Sequence, residues 1–299
     1  MHDVLIIGGS FAGLSAAIYA ARGRHDVCVL DTGTPRNRFS PVAHGFFAHD
    51  GDSPANIIAQ ARHQIAAYPN VTFRDAEAAD AVAVDGGFRV TLNDASAVTA
   101  RRLVIASGVE DHLPPITGLA ERWGKSVLHC PYCHGYEFSG QRLGVLYAGP
   151  ASVHHAQMIA NWGPTTLFLD GAALTDDEQT LLAEKGIAVV PGKVEELTGA
   201  GDALERILVE GAAPVALDAL YTAVRVSIRG NMAAKLGCAT RDTPIGHLLE
   251  VDDTFMTSVP GIYAAGDVAR FPSVALNAAA DGALAGGAVS QSLIFGLTK

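Results

Sequence analysis

The chain opens on apolar and glycine-rich segments that predict a strand, a turn and a helix. Residues 4–7 form the short continuous apolar run typical of a buried parallel strand. A glycine-rich turn follows, and the alanine-rich stretch 14–21 has the composition of a helix. A second apolar run, 27–30, ends at Asp31. This order of strand, turn, helix, strand and acidic residue predicts a Rossmann-like βαβ unit.

Later segments repeat the alternation of apolar strands with helices. The apolar runs 103–105 and 165–169 predict two further strands, and the run 259–265 ends in a Gly-Asp pair. The small-residue stretch 274–288 predicts a helix. Strands that alternate with helices along most of a chain are typical of an α/β fold, which is the class we expect.

The glycine loop at residues 8–13 has the residue types that a dinucleotide pyrophosphate requires. Gly8 permits the tight turn, the small Ser10 lets the backbone approach the pyrophosphate, and Gly13 lets the helix pack on the strand. The helix N-terminus then faces the phosphates, and Asp31 can accept a hydrogen bond from a ribose hydroxyl. A purely structural glycine turn is the alternative. The candidate cofactor-binding residues here are Gly8, Gly9, Ser10, Phe11, Ala12, Gly13 and Asp31.

Composition narrows the possible functions. The 299-residue chain is 49% apolar, and its formal net charge is -10 without a cluster of lysines or arginines. Nucleic acids and anionic membranes are therefore poor partners. No run reaches the roughly 18 apolar residues of a membrane span, and the first residues lack the basic start of a signal peptide. We therefore expect a cytoplasmic protein that binds neither nucleic acid nor membrane.

The four cysteines are too few for a disulfide scaffold in a chain of this length. Cys28, inside a predicted strand, and Cys238 are predicted to be core residues. Cys130 and Cys133 are separated by only two residues, a spacing that suits a redox disulfide, half of a zinc site or two structural thiols. A zinc site needs four ligands, and the sequence has no second pair at suitable spacing. A redox dithiol without a metal is therefore the preferred interpretation.

Ionisable side chains surround this cysteine pair. The thiolate is the reactive form of cysteine, and a free thiol with a pKa of about 8.5 is mostly protonated at neutral pH. His129 and His134 flank the pair, and Glu137 follows closely. A histidine near its pKa can accept and return a proton as a disulfide opens and closes. The candidate catalytic residues are therefore Cys130, Cys133, His134, His129 and Glu137.

Three features together resemble the thioredoxin reductases of the low-molecular-weight type, over essentially the whole chain. They are the glycine loop near the start, a small-residue segment after the strand 103–105, and the late Gly-Asp motif. The resemblance implies FAD as the cofactor and a homodimer. It adds Ala106, Ser107, Gly108, Gly266 and Asp267 to the candidate cofactor-binding residues.

The same resemblance implies an organisation and a set of roles. The fold would contain two Rossmann-like three-layer domains. An FAD-binding domain, formed by residues 1–113 and 225–299, would be split by a central nucleotide-binding-like domain, 114–224, which carries the cysteine pair. Cys133 would be the sulfur that faces the flavin, and Cys130 the interchange thiol that meets the substrate. Asp267 would contact the ribityl or phosphate part of FAD.

Three further residues are expected near the flavin. Arg36 and His44 lie in the segment after the first βαβ unit, where a loop can pass the flavin. The helix predicted at 274–288 begins near Ala275, and its positive N-terminus would stabilise negative charge on a reduced flavin. A solvent-facing loop position is the alternative for His44.

The central segment departs from the pattern of the reductases. They carry a second glycine loop for NADPH here, followed by a strand that ends in basic residues. In this chain Tyr147 occupies the first glycine position, and Pro150 removes a backbone donor. Asp170 ends the strand where basic residues would hold the 2′-phosphate. These substitutions predict a degenerate nucleotide site, with an unusual NADH site as the alternative.

The cysteine motif combined with a poor nucleotide loop resembles the dithiol oxidases that form the disulfides of gliotoxin and holomycin. This resemblance implies oxidation of a small-molecule or peptide dithiol, with transfer of electrons to FAD and then to O₂. Two alternatives stay open. One is a disulfide reductase fed by NADH or ferredoxin, which would act on a thioredoxin-like protein. The other is a flavin-bound redox sensor without a catalytic role.

Overall fold

The computed structural model describes residues 1–297. Within this range strands alternate with helices, as the hydrophobic pattern predicts. The α-helices are α1 (Phe11–Arg22), α2 (Pro54–Ala66), α3 (Pro131–His134), α4 (Ala151–Ile159), α5 (Asp176–Glu184), α6 (Met232–Lys235) and α7 (Ala275–Phe295). The strands are β1 (His2–Ile7), β2 (Val27–Asp31), β3 (Val71–Asp75), β4 (Ala78–Val84), β5 (Gly87–Leu92), β6 (Ala97–Ile105), β7 (Val109–His112), β8 (Val127–Leu128), β9 (Leu143–Leu146), β10 (Thr165–Phe168), β11 (Ala188–Val190), β12 (Val194–Thr198), β13 (Arg206–Val209), β14 (Val215–Ala216), β15 (Ala219–Thr222), β16 (Arg225–Ile228), β17 (Thr240–Thr243), β18 (Gly246–Leu249) and β19 (Ile262–Ala264).

The first sheet has the strand order β3-β2-β1-β6-β5-β4, and β19 pairs with the second half of β6. β1, β2, β3, β6 and β19 are parallel, whereas β4 and β5 add an antiparallel hairpin. Ile7 lies opposite both Leu30 and Ile105, and Ala264 also lies opposite Ile105. The loops after β1, β2, β6 and β19 therefore emerge at one edge of the sheet, where open α/β sheets bind their ligands.

Alternate residues of the parallel strands build the cores on the two faces of this sheet. Val4 and Ile6 of β1 pack with α1, α2 and α7, whereas Leu5 and Ile7 pack with β5 and α6. Strand alternation thus produces a three-layer arrangement. Cys28 lies in the second of these cores and is fully buried, and burial raises the pKa of its thiol to about 11. Its prediction as a core residue is confirmed.

Glycines in α7 allow an unusually close contact between α1 and α7. A Cβ atom on Gly282 would lie 2.0 Å from the carbonyl oxygen of Ala12, and one on Gly286 would lie 2.6 Å from that of Ala16. The two helix backbones therefore touch, which holds the beginning of α7 beside the beginning of α1. The helix predicted at 274–288 is confirmed, and it extends further, to Phe295.

The second sheet is parallel, with the strand order β11-β10-β9-β15-β8. One face packs against α4 and α5, and the other packs against the antiparallel sheet β12-β13-β14. Two sheets of Rossmann type, each enclosed between other layers, confirm the predicted fold class. Of the described helices, none is long and apolar enough to cross a membrane, and this includes the 21-residue α7.

The chain passes between the two sheets through a two-stranded antiparallel ladder. β7 leads out of the first sheet and β16 leads back, with Val109 opposite Ile228 and His112 opposite Arg225. The ladder lies next to the expected boundaries of the central domain. We retain the division into 1–113, 114–224 and 225–299 as a proposal on this basis.

Candidate active site and cofactor-binding cleft

A long cleft follows the carboxyl edge of the first sheet and ends at the cysteine pair. Gly13 does not line the cleft. It packs against β1 instead, since a Cβ atom there would lie 1.7 Å from the carbonyl oxygen of Gly8. Its place is the helix-strand contact that the sequence predicts. All other candidate cofactor-binding residues line the cleft, namely Gly8, Gly9, Ser10, Phe11, Ala12, Asp31, Arg36, His44, Ala106, Ser107, Gly108, Gly266, Asp267 and Ala275. Their individual contacts with a cofactor stay predictions.

The glycine loop leaves room and free donors for an anion. Gly8 has a φ of 109°, and a Cβ atom there would lie 2.2 Å from the carbonyl oxygen of Ala106. A Cβ atom on Gly9 would lie 2.6 Å from Cγ of Asp31. Ser10 precedes α1, and its side chain makes no capping hydrogen bond. The first N–H groups of α1 therefore remain available to a phosphate at the positive end of the helix.

Asp31 is held in place by two neighbours. The backbone N–H of Gly33 donates a hydrogen bond of 3.1 Å to Oδ1, and the Arg62 guanidinium lies 3.5 Å from Oδ2. Arg62 also pairs with Asp75 at 2.6 Å. These contacts orient the Asp31 carboxylate at the end of β2, where a ribose hydroxyl can donate to it. Arg62 was not predicted, because it approaches Asp31 from α2, about 30 residues away in the sequence.

Arg36 joins two carboxylates that are far apart in sequence. Its Nη1 donates a hydrogen bond of 2.9 Å to Asp267, and its Nε donates one of 3.1 Å to Asp111. All three side chains are less than one fifth exposed. Burial alone would lower the pKa of Arg36, but the hydrogen bond with Asp111 and the charge of Asp267 raise it, so the guanidinium stays charged. Asp111, on β7, carries no motif and was not predicted.

The segment before α7 supplies polar groups without partners. Gly266 has a φ of 78°, and a Cβ atom there would lie 2.9 Å from Cβ of Ala12. Ser273 lines the cleft, and its Oγ is buried with no hydrogen-bond partner. No side chain caps the N-terminus of α7 at Val274. A buried hydroxyl without a partner is costly, so these groups fit a polar cofactor. No sequence motif identified Ser273.

The cysteine pair lies at the end of the cleft. Cys130 and Cys133 are bonded to each other, and the short helix α3 begins between them at Pro131. Cys133 lines the cleft, whereas Cys130 does not, and both are half-buried. A Cβ atom on Gly135 would lie 2.5 Å from the carbonyl oxygen of Pro131, which explains the glycine at this position.

His129 and His134 both line the cleft beside the disulfide. His129 presents its ring to the cleft and stacks on Trp123, with centroids 5.7 Å apart. Loss of contact with bulk water among the surrounding side chains lowers the pKa of His129 to about 4, although its ring is open to the cleft, and the charge of Arg36 acts in the same direction. Burial also lowers the pKa of His134, although the carboxylate of Glu137 opposes this shift. Both imidazoles are therefore neutral at neutral pH and can accept a proton.

Glu137 lies outside the cleft lining and contacts the loop that carries His44. Oε1 of Glu137 lies 3.3 Å from Nε2 of His44, whose Nδ1 lies 3.5 Å from Asp50. His44 thus lines the cleft and also joins the loop after β2 to the cysteine turn. The solvent-facing alternative for His44 is not favoured, because its side chain is only 23% exposed.

The two-sheet α/β fold, with a disulfide at the end of a dinucleotide cleft, defines a flavin-dependent thiol–disulfide oxidoreductase. The chain belongs to the pyridine nucleotide-disulphide oxidoreductase family, whose pattern matches residues 2–282. It is 33% identical over 308 residues to thioredoxin reductase tcpT of Claviceps purpurea, and the alignment covers 98% of this chain and 94% of that protein.

Solved structures resemble the whole chain. An oxidoreductase from Agrobacterium tumefaciens is 41% identical, with a TM-score of 0.94 over 98% of this chain and 99% of that one. The structure of HlmI is 35% identical, with a TM-score of 0.91 over 98% of this chain and 92% of that one. The predicted membership among thioredoxin reductase-like flavoproteins is confirmed. The protein is an oxidoreductase of thiols and disulfides, with FAD as its cofactor.

Proposed function

We propose that the protein oxidises a small-molecule or peptide dithiol to a disulfide, with O₂ as the final electron acceptor. The overall reaction, R(SH)₂ + O₂ → RS₂ + H₂O₂, transfers two electrons and two protons. The observation that carries the proposal is the turn between β9 and α4. There a serine side chain takes up one backbone donor, and a proline replaces another, that a nicotinamide nucleotide would use.

The turn between β9 and α4 has fewer free backbone donors than a phosphate-binding turn needs. The backbone N–H of Ala148 donates a hydrogen bond of 2.8 Å to Oγ of Ser152, so it is not available to a phosphate. Pro150, immediately before α4, has no N–H to donate. Tyr147 packs against the core between this sheet and α4. A degenerate nucleotide site is the interpretation that these contacts support.

The Asp170 carboxylate is engaged through one of its two oxygens. Its Oδ1 accepts a hydrogen bond of 3.0 Å from the backbone N–H of Val194 and lies 3.2 Å from Nζ of Lys193. Asp31 has partners of the same kinds, so these contacts leave the alternative of an NADH site at Asp170 open. The same ion pair offsets the negative charge that would repel the 2′-phosphate of NADPH. The lost backbone donors of the turn therefore disfavour NADPH more than the charge of Asp170 does.

The two cysteines divide the chemistry in the proposed cycle. A substrate thiolate attacks Sγ of Cys130, which does not line the cleft, and Cys133 leaves as a thiolate. The second substrate thiolate attacks the substrate sulfur of the mixed disulfide, which releases the product disulfide and reduced Cys130. FAD supplies the two-electron chemistry that restores the cysteine disulfide and delivers electrons to O₂. His134 accepts a proton from the substrate dithiol beside the cysteines.

Anaerobic reduction tests this proposal. We expect dithiothreitol to bleach the visible absorption of the purified yellow protein, and millimolar NADPH or NADH to leave it unchanged within the turnover time. Admission of O₂ should restore the colour and yield about one H₂O₂ per disulfide formed, by the stoichiometry above. Rapid bleaching by NADPH would contradict the proposal and favour an ordinary reductase.

The second candidate is a disulfide reductase, which the name of the Claviceps relative favours. Bleaching by NADH alone, or by reduced ferredoxin but by no dithiol, would support it. A redox sensor without a catalytic role would react slowly with every donor. The same stopped-flow experiment therefore separates all three functions.

A further inference from the structure

The loop between β2 and α2, residues 32–53, contacts both the first sheet and the segment that carries the cysteines. We refer to it as the bridging loop, and to residues 113–224, which leave and rejoin the β7–β16 ladder, as the inserted segment. Two paired strands are marginally stable by themselves. The ladder alone therefore does not fix the angle at which the inserted segment presents its disulfide to the cleft.

The bridging loop is attached to the cofactor side of the molecule. Nη1 of Arg36 donates a hydrogen bond of 2.9 Å to Oδ2 of Asp267, in the turn that follows β19. The ring of Phe46 lies 5.6 Å from that of Phe11, the first residue of α1. These two contacts hold the loop against the edge of the first sheet where the cleft lies.

The same loop holds both strands of the ladder. Nε and Nη2 of Arg36 donate hydrogen bonds to Oδ1 of Asp111 on β7, and the bond from Nε is 3.1 Å long. Nη1 of Arg229, immediately after β16, donates one of 2.7 Å to the carbonyl oxygen of Thr34. Because Arg36 contacts Asp111 through two donors and Asp267 through a third, its planar guanidinium fixes the ladder relative to the cofactor site.

Further along, the bridging loop reaches the inserted segment itself. Nε2 of His44 lies 3.3 Å from Oε1 of Glu137. Within residues 1–297 this is the only contact between a basic and an acidic side chain that joins the inserted segment to the rest of the chain. A Cβ atom on Gly124 would lie 2.8 Å from Cβ of Phe39, so the loop also lies against the turn before β8. Contacts of one loop thus extend from the cofactor site to the cysteine turn.

The charges around Arg36 also act on the residue beside the disulfide. Desolvation is the main cause of the low pKa of His129, and the charge of Arg36 lowers this pKa further, whereas that of Asp111 raises it. Both charged groups are therefore within electrostatic range of the imidazole, which directly precedes Cys130. The contact that fixes the ladder lies close to the cysteine turn as well as to the cofactor site.

We propose that Arg36 is a positioning residue for electron transfer between the cysteine pair and the flavin. By joining Asp111 to Asp267, it holds the inserted segment at the angle that brings Cys133 against FAD. The step moves two electrons and two protons between the dithiol form of the pair and FAD as the disulfide forms or opens. The inference concerns geometry alone, so it does not depend on O₂ as the acceptor. A displacement of about 1 Å can slow such a reaction about a hundredfold.

Asp111→Asn tests the inference, because it weakens one side of the contact and leaves Arg36 and Asp267 as a balanced pair of charges. FAD content should be unchanged. In a Cys130→Ser background at about pH 9.5, where the Cys133 thiol is ionised, the thiolate gives a long-wavelength charge-transfer absorption only when it touches the flavin. Asp111→Asn should lower this absorption by more than about half. With both cysteines present, flavin bleaching by dithiothreitol should slow about tenfold or more.

Asp218→Asn is the matched control, because Asp218 also accepts two hydrogen bonds from one guanidinium, that of Arg142, but within the inserted segment. It should keep the absorption and the bleaching rate within about twofold of the wild type. Arg36→Lys keeps the charge and loses the planar fork, so it should behave like Asp111→Asn. Arg229→Gln, at a partly exposed position, should lower the absorption in the same direction by a smaller amount, and it decides the test if Asp111→Asn does not fold.

Limited cleavage by trypsin tests the ladder in the FAD-free protein. Arg225 is exposed at the start of β16, and cleavage after it requires the ladder to open. We expect Asp111→Asn to be cleaved there several times faster than the wild type or Asp218→Asn, because proteolysis follows the population of the opened form. Neither this measurement nor the charge-transfer absorption needs turnover. Both still test the inference if no dithiol reduces the protein and the proposed function fails.

Three results would overturn the inference. Loss of FAD from Asp111→Asn would assign Arg36 and its partners to cofactor binding and not to positioning. Wild-type absorption and bleaching rates in Asp111→Asn, Arg36→Lys and Arg229→Gln would show that these contacts do not set the geometry. Equal losses in Asp218→Asn would show a general destabilisation of the protein.

Discussion

The protein contains the same strand-turn-helix unit twice, between β1 and α1 and between β9 and α4, and the two turns differ in what their donors do. In the first turn, Ser10 leaves the helix uncapped and Gly8 and Gly9 keep the backbone bare. In the second turn, Oγ of Ser152 accepts a hydrogen bond from the backbone N–H of Ala148, and Pro150 has no backbone N–H. Under the proposed function, the two turns share a fold and differ in nucleotide binding because they differ in free backbone donors.

The largest expected effect is on the first turn. Gly13→Val should abolish FAD binding, because any Cβ atom there meets the carbonyl oxygen of Gly8 at 1.7 Å and must push α1 away from β1. The ratio of visible to ultraviolet absorbance of the purified protein measures FAD content. Ser152→Ala, in the second turn, is the control and should retain full FAD. A yellow Gly13→Val protein with one FAD per chain would contradict the role of the turn between β1 and α1 in FAD binding.

The next prediction separates the cleft from the cysteine turn. Cys130→Ser and Cys133→Ser should each abolish dithiol oxidation while FAD stays bound, because thiol–disulfide exchange requires both sulfurs. O₂ uptake with dithiothreitol measures the activity. Cys238→Ser is the control, since Cys238 is buried and contacts Thr257 at 3.6 Å. Wild-type rates of dithiol oxidation in both Cys130→Ser and Cys133→Ser would show that the cysteine pair is not catalytic.

A smaller effect is expected at His134. His134→Ala should lower kcat on the order of a hundredfold, the usual contribution of a general base, with FAD content unchanged. Burial lowers the pKa of His134 below its ordinary value of 6.5. Its neutral form accepts the proton, so activity should persist somewhat below pH 6.5 and fall as the pH drops through the lowered pKa. The fall of kcat at acid pH should flatten in the variant. If kcat falls with pH as in the wild type, a group other than His134 is responsible.

The smallest effect sharpens the comparison of the two turns directly. Ser152→Ala removes the acceptor of the Ala148 N–H and should destabilise the protein by about 1 kcal/mol in urea unfolding. Ser10→Ala in the FAD-free protein should change stability by less than about 0.5 kcal/mol, because its side chain caps nothing. Equal losses at the two serines would contradict the difference between the turns.

The sequence predicts well what is local along the chain. Gly8 and Gly13 belong to one short loop whose spacing defines their function, and every residue of that loop except Gly13 lines the cleft. Asp111 and Ser273 were missed because each reaches the cleft from a separate element and carries no motif. The ion pair that offsets the negative charge of Asp170 could not be predicted for the same reason. Lys193, which pairs with Asp170, arrives from a different strand connection.

The fold class followed from apolar runs, which periodicity identifies reliably in buried parallel strands. The antiparallel sheet β12-β13-β14 was not predicted, because its strands are short and only partly buried, as the alternation of buried Ile207 and Val209 in β13 illustrates. The contact of His44 with Glu137 also depends on tertiary structure. It joins a loop and a helix turn about 90 residues apart, and no local pattern encodes such a distance.

The ladder between β7 and β16 has a consequence for how the chain could be shortened. His112 and Arg225 lie directly opposite each other, so residues 113–224 leave and rejoin this two-stranded ladder at the same point. Cα atoms opposite one another in such a ladder are about 5 Å apart, a gap that a two-residue hairpin turn closes. A chain with that turn in place of residues 113–224 would keep β1, α1, β19 and α7 without any change of direction. The cysteine turn is thus inserted into the chain through a single ribbon, and its remaining contact with the loop after β2, the His44–Glu137 pair, is made in space and not along the chain.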